Sequence, residues 1–192
     1  MKTTNAYFRS NGYTEDKIIL TSSGERCDLS KLPPFLRTLL VMDGTVTKAL
    51  EAWFWEPVKV VPLHIKPTKL SKTVTGLESD IGDKALQREV TLQGCNSDRI
   101  FACARSTVLV KRLPKEIGDA LESGKIGIGG LFREQGLETY REIIEFDYFS
   151  VPNSNDELLD HLNGEIISRS YQIWVNQNPA IIVTEFFPLE MF

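Results

Sequence analysis

The segment NPAIIVTEFFP near the C-terminus constrains the fold more than any other stretch. Read as a strand, it sends Ile181, Val183, Glu185 and Phe187 to one face and Ala180, Ile182, Thr184 and Phe186 to the other. Both faces are apolar, so a layer must cover each side. The preceding segment EIISRSYQIWVN has the same character and is separated from it by QN or NQN, which makes the pair a hairpin. Glu185 is the anomaly: a carboxylate on a face that offers it no water.

Upstream, LQREVTLQG and RIFACARSTVLV form another hairpin through the turn residues GCNSD. PVKVVPLHIKP reads as a first strand, with Pro62 marking an edge or a bulge. The polar stretch TKLSKTVTGLESDIGDKA that follows is a loop. LETYREIIEFDYFSV suits either class along its length, and Ile143, Phe146, Tyr148 and Phe149 favour a strand in its second half.

Helical periodicity is confined to two regions. DLSKLPPFLRTLLVMDG opens on Asp28 or Ser30 as a cap and a proline-containing first turn, with Leu36, Leu39 and Leu40 on one face. A second helix follows Asp43, with Val46, Leu50, Trp53 and Phe54 at helical spacing. The aromatic run Trp53, Phe54, Trp55 reads as core and helix end rather than a binding platform. PKEIGDALE starts a short helix at Pro114, and a glycine-rich turn follows it. Helices first and hairpin strands after them give an α+β domain with a mainly antiparallel sheet. Residues 1–27 read as a loose lead-in and 28–192 as one domain.

The 192 residues are enough to bury a full core, roughly 70% of the unfolded surface, without a disulfide or metal. A net charge of −4 counts against a general nucleic-acid binder but leaves room for a small anionic ligand at a local arginine cluster. Cys27, Cys95 and Cys103 are odd in number and lack CxxC spacing, so they read as free, mostly buried thiols in a reducing compartment. MKTTNAYFRSNGY has no apolar core of signal-peptide length, and the runs LLVM and AIIV are too short to span a bilayer. The expectation is a cytoplasmic protein without membrane insertion.

Three charged side chains lie on otherwise inward strand faces. Arg88 shares parity with Val90 and Leu92, Arg105 with Phe101, Cys103 and Leu109, and Glu185 with Ile181, Val183 and Phe187. A buried charge survives only when it is paired or hydrogen-bonded. Two readings follow: an Arg–Glu bridge inside the core, or a pocket for an anionic, hydroxylated small molecule gripped by the planar arginine fork. Other chemistries find no support. His64 and His161 are isolated from any ligand-spaced partner, and no GxSxG or serine triad is present. GKIGIGG lacks a GK[ST] ending and follows a helix, unlike a phosphate loop. It reads either as a tight turn with positive φ at Gly127, Gly129 or Gly130, or as exposed amides lining a pocket.

These placements resemble the chorismate lyase family (chorismate pyruvate-lyase, 4-hydroxybenzoate synthase), including its divergent cyanobacterial and plastid-type branch. The matching segments are LLVMDGTVTKALE, LQREVTL with Arg88, ACARSTVLV with Arg105, and RSYQIWVNQNPAIIVTEFFP with Glu185, in the family's order over roughly residues 32–188. The resemblance implies a single α+β domain with a six-stranded antiparallel sheet, flanking helices and a ligand cavity closed by helical flaps. It implies that Arg88 holds the ring carboxylate of chorismate and that Glu185 faces the ring hydroxyl, as general base or hydrogen-bond partner. Val46 and Gly129 belong to the backbone that encloses the ligand, and Arg105 lies close by, placed to meet the pyruvyl carboxylate. Two departures stand out: Val46 replaces the methionine of better-known bacterial members, and GIGGLF matches the family loop only loosely.

The implied activity converts chorismate to 4-hydroxybenzoate and pyruvate, toward quinones or related aromatics, with no metal or cofactor; its partners are the small-molecule substrate chorismate and product 4-hydroxybenzoate, and not nucleic acid. The compartment is a bacterial cytoplasm or a plastid stroma. The competing expectation is a UTRA-like sensing domain of a transcription regulator, which shares the fold and binds without turnover; residues 1–30 are too short for the DNA reader such regulators carry. A non-catalytic carrier of aromatic acids is the third reading.

Overall fold

The computed structural model describes residues 18–20, 24, 26–124, 126–151 and 156–192. Its frame is one six-stranded sheet built from β3 (Val58–Lys69), β4 (Lys84–Gly94), β5 (Ile100–Val108), β6 (Thr139–Ser150), β7 (Glu165–Val175) and β8 (Asn178–Pro188). The spatial order is β3-β4-β5-β8-β7-β6, and every neighbouring pair is antiparallel. Two three-stranded meanders therefore meet at the β5–β8 seam. The α+β domain with an antiparallel sheet is as the residue pattern implies, and its six strands are as the family resemblance implies. A further short ribbon pairs β1 (Ile18–Leu20) with β2 (Arg26–Asp28) at the end of the expected lead-in, whose residues 1–17, 21–23 and 25 lie outside the described part.

Local chemistry explains the joints. The β7–β8 turn places Asn176 and Gln177 at φ 48° and 63°, the two-residue left-handed turn whose twist matches that of the strands. Pro62 sits on the edge strand β3, at the register shift between Pro62 and His64, where a missing donor costs no ladder bond. Asp28 caps a 3-10 turn, accepting from the Ser30 amide at 3.0 Å, and α1 (Pro34–Val41) then begins on Pro34. α2 (Val46–Phe54) follows after four residues.

One face of the sheet carries two apolar clusters. Leu36, Leu39, Leu40, Val46 and Leu50 from α1 and α2 pack on Leu92, Phe101, Ile167 and Phe187. Ile117 and Leu121 of α3 (Lys115–Glu122), with Leu131 and Phe132 of α4 (Ile128–Glu134), pack on Leu86, Val108, Ile173, Ile181 and Val183. The opposite face is covered by Leu70, Leu77 and Leu109 at one end and by Leu158, Leu159 and Leu162 at the other. Arg112 ties that covering loop down, donating to the carbonyls of Leu77 and Pro179 at 2.6 Å each. β8 is thus covered on both faces, as its sequence demands.

Three local expectations change. β6 is a strand along its whole length, not in its second half alone. The glycine-rich turn is in large part a helix: α4 includes Gly129 and Gly130, and its Ile128, Leu131, Phe132 spacing is the helical signal that the glycines obscure. Positive φ falls at Gly124 (φ 73°) instead, while Gly127 has φ −73°. Of the aromatic run, Phe54 alone turns inward, stacking on Phe101 at 3.8 Å. Trp53 stacks on Phe35 at the surface, and Trp55 is 89% exposed. At 100° per residue, three consecutive helical side chains cannot share one face.

Gly124 offers a direct test of how α3 and α4 are joined. A Cβ there would run into Ile65 Cδ1 as well as straining the backbone. Gly124→Ala is expected to cost about 1–3 kcal/mol and to lower the melting temperature by several degrees. An unchanged melt would show that the turn adjusts freely.

Candidate functional site

The two clusters on the helix-covered face are separated by a polar band. Along β8 the inward series runs Phe187, Glu185, Val183; along β7 it runs Ile167, Arg169, Tyr171; along β4 it runs Leu92, Val90, Arg88, Leu86. Each strand therefore carries one charge where the core is interrupted. The register brings them together: Glu185 stands opposite Arg169 on β7 and Ala104 on β5, and Arg88 lies one row on, opposite Ser106. A cavity opens over this band, and its lining includes Arg88, Ser106, Tyr171 and Glu185, with Val46 at the start of α2 and Gly129 of α4 above them.

Arg88 is 3% exposed. Its Nη2 donates to the Ile126 carbonyl at 3.0 Å, its Nε has no hydrogen-bond partner, and among the described residues no carboxylate pairs with it. Burial alone pushes its pKa down to about 10. A buried cation left without a counter-ion is costly in an apo protein, and an anion delivered into the cavity would remove that cost.

Glu185 is 6% exposed and has two donors, Arg169 Nε to Oε2 at 2.8 Å and Tyr171 Oη to Oε1 at 3.0 Å. Each oxygen keeps a lone pair free for another donor. Arg169, 1% exposed, also donates to the Met42 carbonyl at 2.9 Å and lies 5.0 Å from the Tyr171 ring centre. Burial works against the Arg169 charge, but the adjacent Glu185 carboxylate outweighs it and the pKa rises. Burial and the same carboxylate push the Tyr171 hydroxyl up as well, so it remains a donor.

The structure thus gathers Arg88, Glu185, Val46 and Gly129 around one cavity. Arg105 does not join them. It lies on the opposite face of the sheet, 43% exposed at the side chain, held by Glu89 at 2.6 Å and by Asp156 at 2.7 Å. Its parity with Phe101 misled because the β4–β5 register slips there: Leu92 pairs with Ala102 and Gln93 with Ile100, leaving Phe101 as an extra residue. The residues missed are Arg169, Tyr171 and Arg141. Arg169 was open to the same parity test as Glu185, since it shares a face with Ile167 and Ile173. Arg141 lines the cavity from β6, where the slip between Ile143 and Glu145 breaks the alternation.

Cys27 and Cys103 are buried and Cys95 is exposed; none is in a disulfide, and burial raises the Cys103 thiol to about 12. Among the described residues no group of His, Cys, Asp and Glu is arranged to hold a metal. In the same residues no helix is long and apolar enough to cross a membrane.

The architecture is that of the chorismate lyase/UTRA-like α+β domains. PhnF from Mycobacterium smegmatis superposes with a TM-score of 0.61 at 12% identity, covering 79% of this chain and 67% of that one. The effector domain of PhnF alone gives 0.58 at 14% identity, with 77% and 90% covered. These likenesses speak for fold. The chain belongs to the chorismate pyruvate-lyase Rv2949c-like family, whose model matches residues 40–192. It is 25% identical over 179 residues to a chorismate pyruvate-lyase of Mycobacterium leprae, covering 87% of this chain and 80% of that protein. It is 27% identical over 171 residues to that of Mycobacterium tuberculosis strain CDC 1551, with 86% and 85% covered.

Proposed function

We propose that the chain is an active chorismate pyruvate-lyase, which eliminates pyruvate from chorismate to leave 4-hydroxybenzoate. The observation that carries the reading is Arg88, a buried guanidinium with no counter-ion among the described residues, facing the same cavity as a buried carboxylate in a chain of this family. Arg88 takes the ring carboxylate through a charge-assisted bond that replaces the missing ion pair. Glu185 accepts from the ring hydroxyl at the other end, one row and two strands away.

In the reaction the carbon–oxygen bond to the enolpyruvyl arm breaks, the ring carbon bearing the hydroxyl loses its hydrogen, and the pyruvyl fragment gains one. Aromatisation drives the change, so the protein's task is to hold the ring at both ends and stabilise charge that shifts toward the leaving arm. Arg169 and Tyr171 fix the Glu185 carboxylate, so its acceptor direction is set before substrate arrives. Arg105, on the other face, has no part in this reading.

The test is to incubate purified protein with chorismate and follow pyruvate by a lactate dehydrogenase couple and 4-hydroxybenzoate by chromatography. Equal yields well above the uncatalysed background are expected. Tight 4-hydroxybenzoate binding without either product would instead make the chain a sensing or carrier domain on the same fold, the alternative that the PhnF effector-domain likeness supplies.

A further inference from the structure

The substrate of the proposed reaction carries two carboxylates, and Arg88 accounts for one. The second arginine of the cavity is Arg141, which reaches in from β6, across the sheet from Arg88 on β4. Its side chain is 15% exposed. Nη1 donates to the Asp43 carbonyl at 3.1 Å and, more weakly, to its carboxylate at 3.3 Å. The Asp43 side chain is itself 65% exposed, so this ion pair is well solvated and weak. Among the described residues Nη2 has no acceptor. It lies beside Gly129, where an added Cβ would make an ordinary contact with Nη2 at 3.6 Å and a tight one with Thr45 Oγ1 at 3.1 Å.

The charges of the cavity match a dianion. Arg169 and Glu185 cancel one another at 2.8 Å, which leaves, among the described residues lining the cavity, the guanidinium groups of Arg88 and Arg141. Arg88, 3% exposed and without an ion-pair partner among the described residues, suits the ring carboxylate. Arg141, more exposed and set between Asp43 ahead of α2 and Gly129 of α4, suits a carboxylate on a flexible arm.

We propose that Arg141 receives the carboxylate of the enolpyruvyl arm and makes the cavity selective for a dicarboxylate over a monocarboxylate. This rests on the chorismate reading above. The test compares two ligands by calorimetry: 4-hydroxybenzoate, and 3-(carboxymethoxy)-4-hydroxybenzoate, which adds a second carboxylate on the ring position next to the hydroxyl. Wild type should prefer the dicarboxylate by about tenfold or more, the range of a charge-assisted pair. Arg141→Gln should abolish the preference while holding the 4-hydroxybenzoate Kd within about twofold, and its KM for chorismate should rise to match. Asp43→Asn, which removes the competing carboxylate, should strengthen dicarboxylate binding or leave it unchanged.

Equal losses for both ligands in Arg141→Gln, or no loss for either, would overturn the proposal. So would an Asp43→Asn variant that reproduces the Arg141→Gln defect, since Arg141 would then act by fastening the entry to α2. A preference that depends on Arg141 in a protein that turns over no chorismate would sink the lyase reading alone; turnover indifferent to Arg141 would sink this proposal alone.

Discussion

Arg88→Met is expected to make the protein more stable and nearly inactive. Chorismate turnover should fall by about 100-fold or more, the scale of losing a charge-assisted contact to the reacting ligand. The melting temperature should rise because the side chain removed is a buried cation that has one carbonyl partner and a bare Nε. Burial lowers its pKa to about 10, so the folded protein holds that proton less tightly than the unfolded chain does. The sign follows: the penalty is fully present at every pH below about 10 and is relieved only as the pH climbs above it. At pH 7.5 its size is on the order of 3 kcal/mol, of which a methionine of similar length should recover about 1–3 kcal/mol, or several degrees. In wild type 4-hydroxybenzoate should raise the melting temperature by supplying the missing anion, and in Arg88→Met it should not. A variant that melts lower than wild type and still responds to the ligand would show that Arg88 is a structural element and that the anion binds elsewhere.

What could be read from the chain divides along physical lines. The β8 face alternation and the turn after β7 are short-range properties, so Glu185 was legible from residues 178–188 and its hairpin from residues 165–188. Arg88 was legible for the same reason, since β4 keeps its alternation from Leu86 to Leu92. The slip at Phe101 was not, because a bulge is set by how two strands twist past one another, and the parity of one strand does not contain it. Arg105 went to the wrong face on that account. The α4 helix was hidden by glycines that carry low intrinsic helix propensity; tertiary packing of Leu131 and Phe132 overrides it. Arg169 could be put on the inward face by parity with Ile167 and Ile173, but not opposite Glu185: counting back from the two-residue turn pairs it with Thr184, and the slip between Ile173 and Trp174, which leaves Ala180 as an extra residue, moves it to Glu185.

That pair carries the second large expected effect. Arg169→Leu and Glu185→Leu should each cost about 3–5 kcal/mol, because each leaves an opposite charge buried and unmatched. The double replacement Arg169→Leu/Glu185→Leu should return to within about 1–2 kcal/mol of wild type, since a well-packed apolar pair often replaces a buried ion pair without loss. All three variants should lose at least about 100-fold in turnover, the Glu185 acceptor being absent or misaimed. Denaturant unfolding of the four proteins closes the thermodynamic cycle, and pyruvate release gives the activity. Arg169→Lys separates the two roles further. It keeps the charge near Glu185 but loses the fork that reaches both Oε2 and the Met42 carbonyl, so the expected result is a near-normal melt with kcat reduced more than KM. A stable, folded and inactive double variant would mean that the buried charges are retained for what they do to substrate. Singles that unfold and a double that is no better would mean instead that the polar band belongs to the architecture, with the Met42 carbonyl as the partner whose loss the sheet and α1 cannot tolerate.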